Sequence, residues 1–423
     1  MMKLFVHRSL ISGEIRIPGS KSHTIRALTM GSLSWKESVI RQPLDSKDTR
    51  SCIRGCRALG ARILCKEDHW KVQGGPGIPH AARNVVHLGN SGTSLRILTS
   101  MACLSSQATI FTGDSSLRTR LIDPLIQSLR ELGATPFSAL DDGKLPIVCR
   151  GPLHGGTTEV DGTTSQYLTS LLISCPLAQR DSLLMIRQLN EKPYVEMTLS
   201  WLNRCGISVS IQEKGHYQVP CGQEYKPFDV DIPADFSTAT FPLCAASICG
   251  TEVLLKGLDR TDLQGDKVVI EHVHAMGTIL KDQSDGLLVL GNPLQGKAFD
   301  LNDIPDSLPA MAVLACFAEG ETRLYNVPQA RLKECDRIEA MSTELRKMGA
   351  DIREEPDGLI IRKSKLQGAK VHSRDDHRVA MALAIAGLAA SGVTEIQNAD
   401  CIAVTFPAFV PLMQSLGAHM EVR

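Results

Sequence analysis

Residues 57–63 read RALGARI, and the phrase returns as RELGATPF (130–137), NRCGISVSI (203–211), HAMGTIL (274–280), RKMGADI (347–353) and QSLGAHMEV (414–422). Each copy closes an amphipathic helical pattern on a glycine and then enters a strand-like run. Glycine suits that point, because a helix commonly ends on a left-handed residue, a conformation glycine reaches without steric cost. The six glycines, Gly60, Gly133, Gly206, Gly277, Gly349 and Gly417, stand 73, 73, 71, 72 and 68 residues apart. Spacing this even marks an internal repeat of about 70 residues. Three copies continue through DDGKLPIV (141–148), SDGLLVL (284–290) and PDGLIIR (356–362), where Asp-Gly between strand patterns signals a hairpin. The repeat therefore reads strand, helix, strand, helix, hairpin. Six copies make neither a solenoid of short repeats nor a doubly wound nucleotide fold. Three per globular domain gives roughly 210 residues each, in line with the two domains that the chain length suggests.

Composition narrows the function. Lys plus Arg and Asp plus Glu both number 46, which removes the bulk electrostatic case for nucleic acid or an anionic membrane as partner. With 43% hydrophobic and 22% charged residues, the chain reads as an ordinary soluble globular protein. No apolar run approaches the roughly 20 residues of a membrane span. The stretch MMKLFVHRSLISGE lacks the apolar core and cleavage site of a signal peptide, so a cytoplasmic protein is expected. The 13 cysteines form no CxxC pair and read as reduced core thiols, with Cys52 and Cys56 spaced for one helix face.

Any anion site must then come from local clustering. IPGSKSHTIRAL (17–28) has the glycine, lysine and hydroxyls of an anion loop but not the spacing of a nucleotide P-loop. A helix starting near Ser22 would turn its free N–H groups, Lys21 and the Ser22 hydroxyl toward one oxyanion, with Arg26 on the same face; a plain Ser-capped helix is the alternative. HLGNSGTSLRILTS (87–100) repeats the grammar with Asn90, Gly92, Thr93 and Arg96, and GDSSLRTRLIDPL (113–125) adds Arg118 and Arg120 where a helix is expected to begin. DGTTSQYLTSLL (161–172) offers Thr164, Ser165 and Gln166 at another helix start. The acids come later. DLNDIPDSLPAMAVLA (300–315) sets Asp303 and Asp306 before an apolar helix, with Pro309 in its first turn. RLKECDRIEAM (331–341) gathers Arg331, Lys333, Glu334, Asp336 and Arg337, and SRDDHRVAMALAIAGLAASG (373–392) opens a buried-looking helix with Asp375, Asp376, His377 and Arg378. Lys21, Arg26, Arg96, Arg120, Lys333, Arg337 and Arg378, gathered together, suit small ligands bearing a phosphate and carboxylates, and the acids would handle protons.

GSKSHTIRA, LGNSGTSLR, the TSQ triplet, KPY, IPDSLPA, RLKECDRI, DDHRVAMA and TFP, in this order along essentially the whole chain, resemble the 5-enolpyruvylshikimate-3-phosphate synthase family of enolpyruvyl transferases. The resemblance implies an α/β fold, a two-domain inside-out α/β barrel of six βαβαββ repeats, three per domain. Residues 1–19 and 234–423 would form a discontinuous first domain and residues 20–233 the second, with the active site in the cleft between them. It implies enolpyruvyl transfer from phosphoenolpyruvate to shikimate 3-phosphate by a monomeric enzyme that needs neither metal nor organic cofactor. Carried over by position, Lys21, Ser22, Arg26, Thr164, Ser165, Gln166, Tyr194, Asp306, Gln329 and Lys333 would bind shikimate 3-phosphate, with Ser22 and Arg26 on its carboxylate and Thr164, Ser165 and Lys333 on its phosphate. Lys21, Asn90, Gly92, Thr93, Arg120, Gln166, Arg337, His377 and Arg378 would bind phosphoenolpyruvate. Asp306 is the expected base, and Glu334 and Lys21 are the candidate acids.

Four positions depart from the family pattern: Glu191 stands for a serine before KPY, Val404 for a lysine before TFP, Gln329 for an asparagine, and Ile97 for a proline found in many relatives. Glu191 raises the alternative of a different hydroxyl acceptor, and a non-catalytic ligand-binding relative is the alternative from another class. The related UDP-N-acetylglucosamine enolpyruvyl transferases use a reactive loop cysteine, and GDSSLRTRLID contains none.

Overall fold

The computed structural model describes residues 2–75, 78–212 and 215–423. The chain divides into two compact units, one made of Met1–Pro18 with Pro233–Arg423 and the other of Gly19–Ile232.

Each unit holds three four-stranded sheets built on one plan. In the continuous unit, Asp229–Asp231 runs parallel to Ser38–Arg41, which is antiparallel to His69–Gln73, itself antiparallel to Arg62–Cys65. The sheets begun by Val86–His87 and Gly156–Val160 repeat this order. So do the three sheets of the discontinuous unit, begun by Ile11–Arg16, Ala298–Asp300 and Lys370–His372. The repeat is therefore a parallel pair joined through a helix, then a second helix and an antiparallel hairpin. Three sheets recruit a strand far away in sequence: Asp229–Asp231 pairs with Ser38–Arg41, Ile11–Arg16 with Gly250–Lys256, and Leu4–His7 lies between Val393–Gln397 and Met420–Val422.

The two helices of each repeat differ in composition and therefore in depth. Lys21–Gly31, Gly92–Ala102 and Ser165–Ser174 in one unit, and Phe236–Cys249, Leu308–Ala315 and His377–Ala389 in the other, are rich in apolar and small residues and buried along nearly their whole length, their few charged side chains lying in the first two turns. A helix without a polar face has no surface to give to water. Their partners, such as Lys47–Ala58 and Asp123–Glu131, carry charge on one face and cover the sheets. Each unit has its own apolar core.

All six repeat glycines have positive φ, between +76° and +120°. At each, the glycine N–H and the next N–H turn back on the last helical turn; Gly60 donates to Arg57 O and Ala61 to Cys56 O, both at 3.0 Å. This crossed pair satisfies carbonyls that the helix end would leave open. The Asp-Gly hairpins form; Gly143 lies in its turn with φ +71°, but the other two glycines do another job. The tight turns fall on Ser284-Asp285 and Pro356-Asp357, and Gly286 and Gly358 already lie in strands. A Cβ there would meet Leu255 O at 2.2 Å and Leu324 O at 1.9 Å, so close strand approach requires the glycine.

The 13 cysteines are all free thiols, ten buried and three half-buried, and Cys52 and Cys56 share a helix face with their sulfurs 4.0 Å apart. No helix among the described residues is long and apolar enough to cross a membrane.

Candidate active site

The candidate groups cluster at the starts of the buried helices. In the continuous unit, Ser20 caps the helix Lys21–Gly31 and accepts from His23 N, so the helix starts at Lys21, one residue before the expected Ser22. Lys21 Nζ lies 3.3 Å from Asp48 Oδ2. Arg26 is buried, and its nitrogens donate to Ser22 O at 3.1 Å, Tyr194 O at 2.8 Å and Thr198 Oγ1 at 3.0 Å. Burial without a carboxylate among these acceptors pulls the guanidinium down to about 10. Tyr194 thus enters through its backbone carbonyl, and Thr198 is a site residue that the sequence reading omitted, one helical turn after Tyr194.

The second cluster converges on Gly92, the first residue of helix Gly92–Ala102. A Cβ built there would lie 2.8 Å from Arg96 Nη1 and 3.0 Å from Arg120 Nη1, so two guanidiniums crowd the glycine backbone. Arg96 donates to Gln166 Oε1 at 2.8 Å. Arg120 donates to the Asn90 side chain and, at 3.1 Å, to Ser116 Oγ, while Asn90 donates to Asp114 at 3.0 Å. Arg120 does not open a helix as expected: it follows the short 3-10 turn Leu117–Thr119, and Arg118 is exposed. Thr93 is half-buried in the same first turn.

The third cluster holds the largest surprise. Thr164 caps helix Ser165–Ser174, and the Glu191 carboxylate sits on its start. One oxygen, Oε2, accepts from Ser165 Oγ at 2.8 Å, Ser165 N at 3.2 Å and Thr164 Oγ1 at 3.2 Å. Glu191 is 2% exposed. A carboxylate at a helix N-terminus meets both free N–H groups and the positive end of the dipole.

The discontinuous unit gathers the acids around one guanidinium. Arg337, 1% exposed, donates through Nη1 to Asp306 Oδ1 at 2.7 Å, through Nη2 to Glu334 Oε2 at 2.6 Å and through Nε to Asp376 Oδ2 at 2.7 Å. Arg378 Nη2 holds the other oxygen of Asp306 at 2.8 Å. Desolvation opposes the charge on Arg337, yet the three carboxylates raise its pKa well above the ordinary value. Asp376 also caps helix His377–Ala389, accepting from Arg378 N at 2.7 Å. Its place in DDHR was visible in the sequence, but its bond to Arg337, 39 residues away, was not. His377 is buried at the first residue of that helix, and Lys333 is half-buried after the 3-10 turn Pro328–Leu332.

Other candidates lie apart from these networks. Arg331 is committed to Asp336 and Glu354, and buried Gln329 donates to Asn302 O at 2.7 Å. Val404 and Ile97 are buried as ordinary apolar residues. Asp48, in the first turn of helix Lys47–Ala58, and Asp114, after the strand Thr109–Thr112, hold Lys21 and Asn90 from segments distant in sequence, pairings that no local motif announced.

Residues 7–413 match the family model described as EPSP synthase (3-phosphoshikimate 1-carboxyvinyltransferase). The chain is 48% identical over 420 residues to the 3-phosphoshikimate 1-carboxyvinyltransferase of Acetivibrio thermocellus, covering 99% of both chains. It is 42% identical to that of Methanocaldococcus jannaschii, over 98% of this chain and 97% of the relative. The structure of EPSP synthase from Acinetobacter baumannii superposes with a TM-score of 0.83 at 25% identity, covering all of both chains. The enolpyruvyl transferase NikO from Streptomyces tendae, at 17% identity, shares the fold with a TM-score of 0.78 over 100% of this chain and 99% of that one. By fold, by ordered motifs and by identity along its whole length, the chain belongs to the EPSP synthase (3-phosphoshikimate 1-carboxyvinyltransferase) family.

Proposed function

We infer that this protein transfers the enolpyruvyl group of phosphoenolpyruvate to the 5-hydroxyl of shikimate 3-phosphate and releases phosphate. Family membership supports the reaction. The observation that carries the chemistry is the buried Arg337, whose guanidinium holds Asp306 and Glu334 at 2.7 and 2.6 Å, so the candidate base and acid are oriented by one rigid cation.

In the addition step Asp306 takes the proton of the acceptor hydroxyl as its oxygen bonds to C2 of phosphoenolpyruvate, and an acid, Glu334 or Lys21, adds a proton to C3. A tetrahedral intermediate results. In the elimination step C3 returns a proton to the deprotonated acid, the C2–O bond to phosphate breaks, and the leaving phosphate takes up the proton held by Asp306, so the enol ether and inorganic phosphate are the products and both side chains are restored. Both Asp306 oxygens are oriented by arginines, Oδ1 by Arg337 and Oδ2 by Arg378. Arg120, Arg337 and Arg378, with His377 and the Asn90–Thr93 segment, serve the phosphate and carboxylate of phosphoenolpyruvate, where fixed cations stabilise charge that builds as phosphate leaves. Ser22 and Arg26 serve the acceptor carboxylate, Thr164, Ser165 and Lys333 its phosphate, and Gln166, Tyr194 and Gln329 its ring. The same reading takes the enzyme to be a monomer of the cytoplasm needing no metal or organic cofactor; thirteen free thiols suit a reducing compartment.

Phosphate release from phosphoenolpyruvate, followed with and without shikimate 3-phosphate, tests the reading. Release should require the acceptor, and Asp306→Ala should slow it by about 10² to 10⁴. Release without acceptor, or an unimpaired variant, would refute it.

A further inference from the structure

We propose that Glu191 is a built-in anion that occupies the acceptor's phosphate cradle, and that its displacement sets the affinity for the phosphorylated acceptor. The inference rests on the functional reading above, which gives Thr164 and Ser165 to that phosphate.

Three features support it. The hydroxyls of Thr164 and Ser165 and the Ser165 N–H are the donors a phosphate oxygen would need at this helix start, and one oxygen of Glu191 takes all three at 2.8–3.2 Å. Glu191 also stands at the N-cap of helix Lys192–Arg204 without accepting any cap bond from it. Its carboxylate serves the neighbouring helix start instead, which a helix-capping role does not account for. Finally, its backbone is left-handed, with φ +56° and ψ +38°. A buried glutamate holds that conformation only where its surroundings fix it. A carboxylate and a phosphate cannot share one set of donors without strong repulsion. Glu191 must therefore rotate out, or give up its charge, before the acceptor phosphate enters.

The experiment compares wild type with Glu191→Ser and Glu191→Gln by calorimetric titration of shikimate 3-phosphate and, separately, of inorganic phosphate, with the KM for phosphoenolpyruvate as control. Removing the occupant should tighten binding of shikimate 3-phosphate about tenfold or more in Glu191→Ser, equivalent to about 1.4 kcal/mol. Glu191→Gln, which keeps the size but loses the charge, should tighten it less. Inorganic phosphate should gain in parallel, and the KM for phosphoenolpyruvate should stay within about twofold, well inside that tenfold margin. Unchanged or weaker binding of both ligands in a variant that melts like wild type would overturn the proposal. So would equal tightening toward phosphoenolpyruvate, because the effect would then be a general loss of negative charge. Should Glu191→Ser fail to fold, the Gln variant decides by the same criteria. A wild type that releases no phosphate from phosphoenolpyruvate defeats the functional reading instead, and inorganic phosphate still reports whether Glu191 fills the cradle.

Discussion

The two units share one repeat but treat charge in opposite ways. In the discontinuous unit, Arg337 is surrounded by Asp306, Glu334 and Asp376, and Arg378 completes the grip on Asp306. In the continuous unit, Arg26 is held by two backbone carbonyls and a hydroxyl, and Arg96 by an amide. The first arrangement fixes acids by matching them internally, which suits groups that must hold and pass protons in a set orientation. The second fixes cations through neutral atoms, so their charge remains available to an incoming carboxylate or phosphate. Two buried carboxylates of the continuous unit depart from this: Asp48 pairs with Lys21, and Glu191 lies on the donors assigned to a ligand.

The contrast predicts different costs for losing an arginine. Arg337→Met leaves three carboxylates without their common cation, and denaturant titration should show a loss of roughly 3–5 kcal/mol together with loss of turnover. Arg26→Met strands only neutral acceptors and should cost about 1–3 kcal/mol, while raising the KM for the acceptor far more than that for phosphoenolpyruvate. Equal stability losses would break the comparison. A smaller effect sharpens it: Thr198→Val removes the Nε acceptor of Arg26, and steady-state kinetics should show the acceptor KM rising by about 3- to 10-fold, the scale of one lost hydrogen bond, with phosphoenolpyruvate unaffected.

A further comparison concerns the shared frame. Gly349→Ala puts a Cβ at ordinary van der Waals distance, 3.8 Å from Lys365 O, whereas Gly133→Ala drives one to 2.7 Å from His154 Nδ1. Both lose the left-handed ease of glycine, so Gly349→Ala should cost about 1 kcal/mol. Gly133→Ala should cost about 1–3 kcal/mol more through overpacking. Matching unfolding midpoints for the two variants would show that backbone strain alone governs these helix ends.

The repeat was legible because each glycine answers to local backbone geometry, which one stretch of chain contains in full. Helix starts such as Thr164 and Asp376 were legible for the same reason. What stayed hidden depends on partners brought by distant segments: Asp48 for Lys21, Thr198 for Arg26, Asp376 for Arg337. The period of a strand names its buried face but not its neighbour, so the pairing of Ile11–Arg16 with Gly250–Lys256 could not be read from pattern. Glu191 was visible as a misfit, since a carboxylate stood where a phosphate ligand was expected. That its side chain would fill the cradle required the three distances.

The pairing of Leu4–His7 between Val393–Gln397 and Met420–Val422 also dictates an order of events during synthesis. Domains generally fold as units while the chain is still being made. Residues 19–232 hold every strand of their three sheets, and can collapse as soon as they clear the ribosome. Leu4–His7, though made before that unit, must wait with its edges unsatisfied until Val393–Gln397 and Met420–Val422 have been made, so a strand that precedes the continuous unit in sequence finds its place after it.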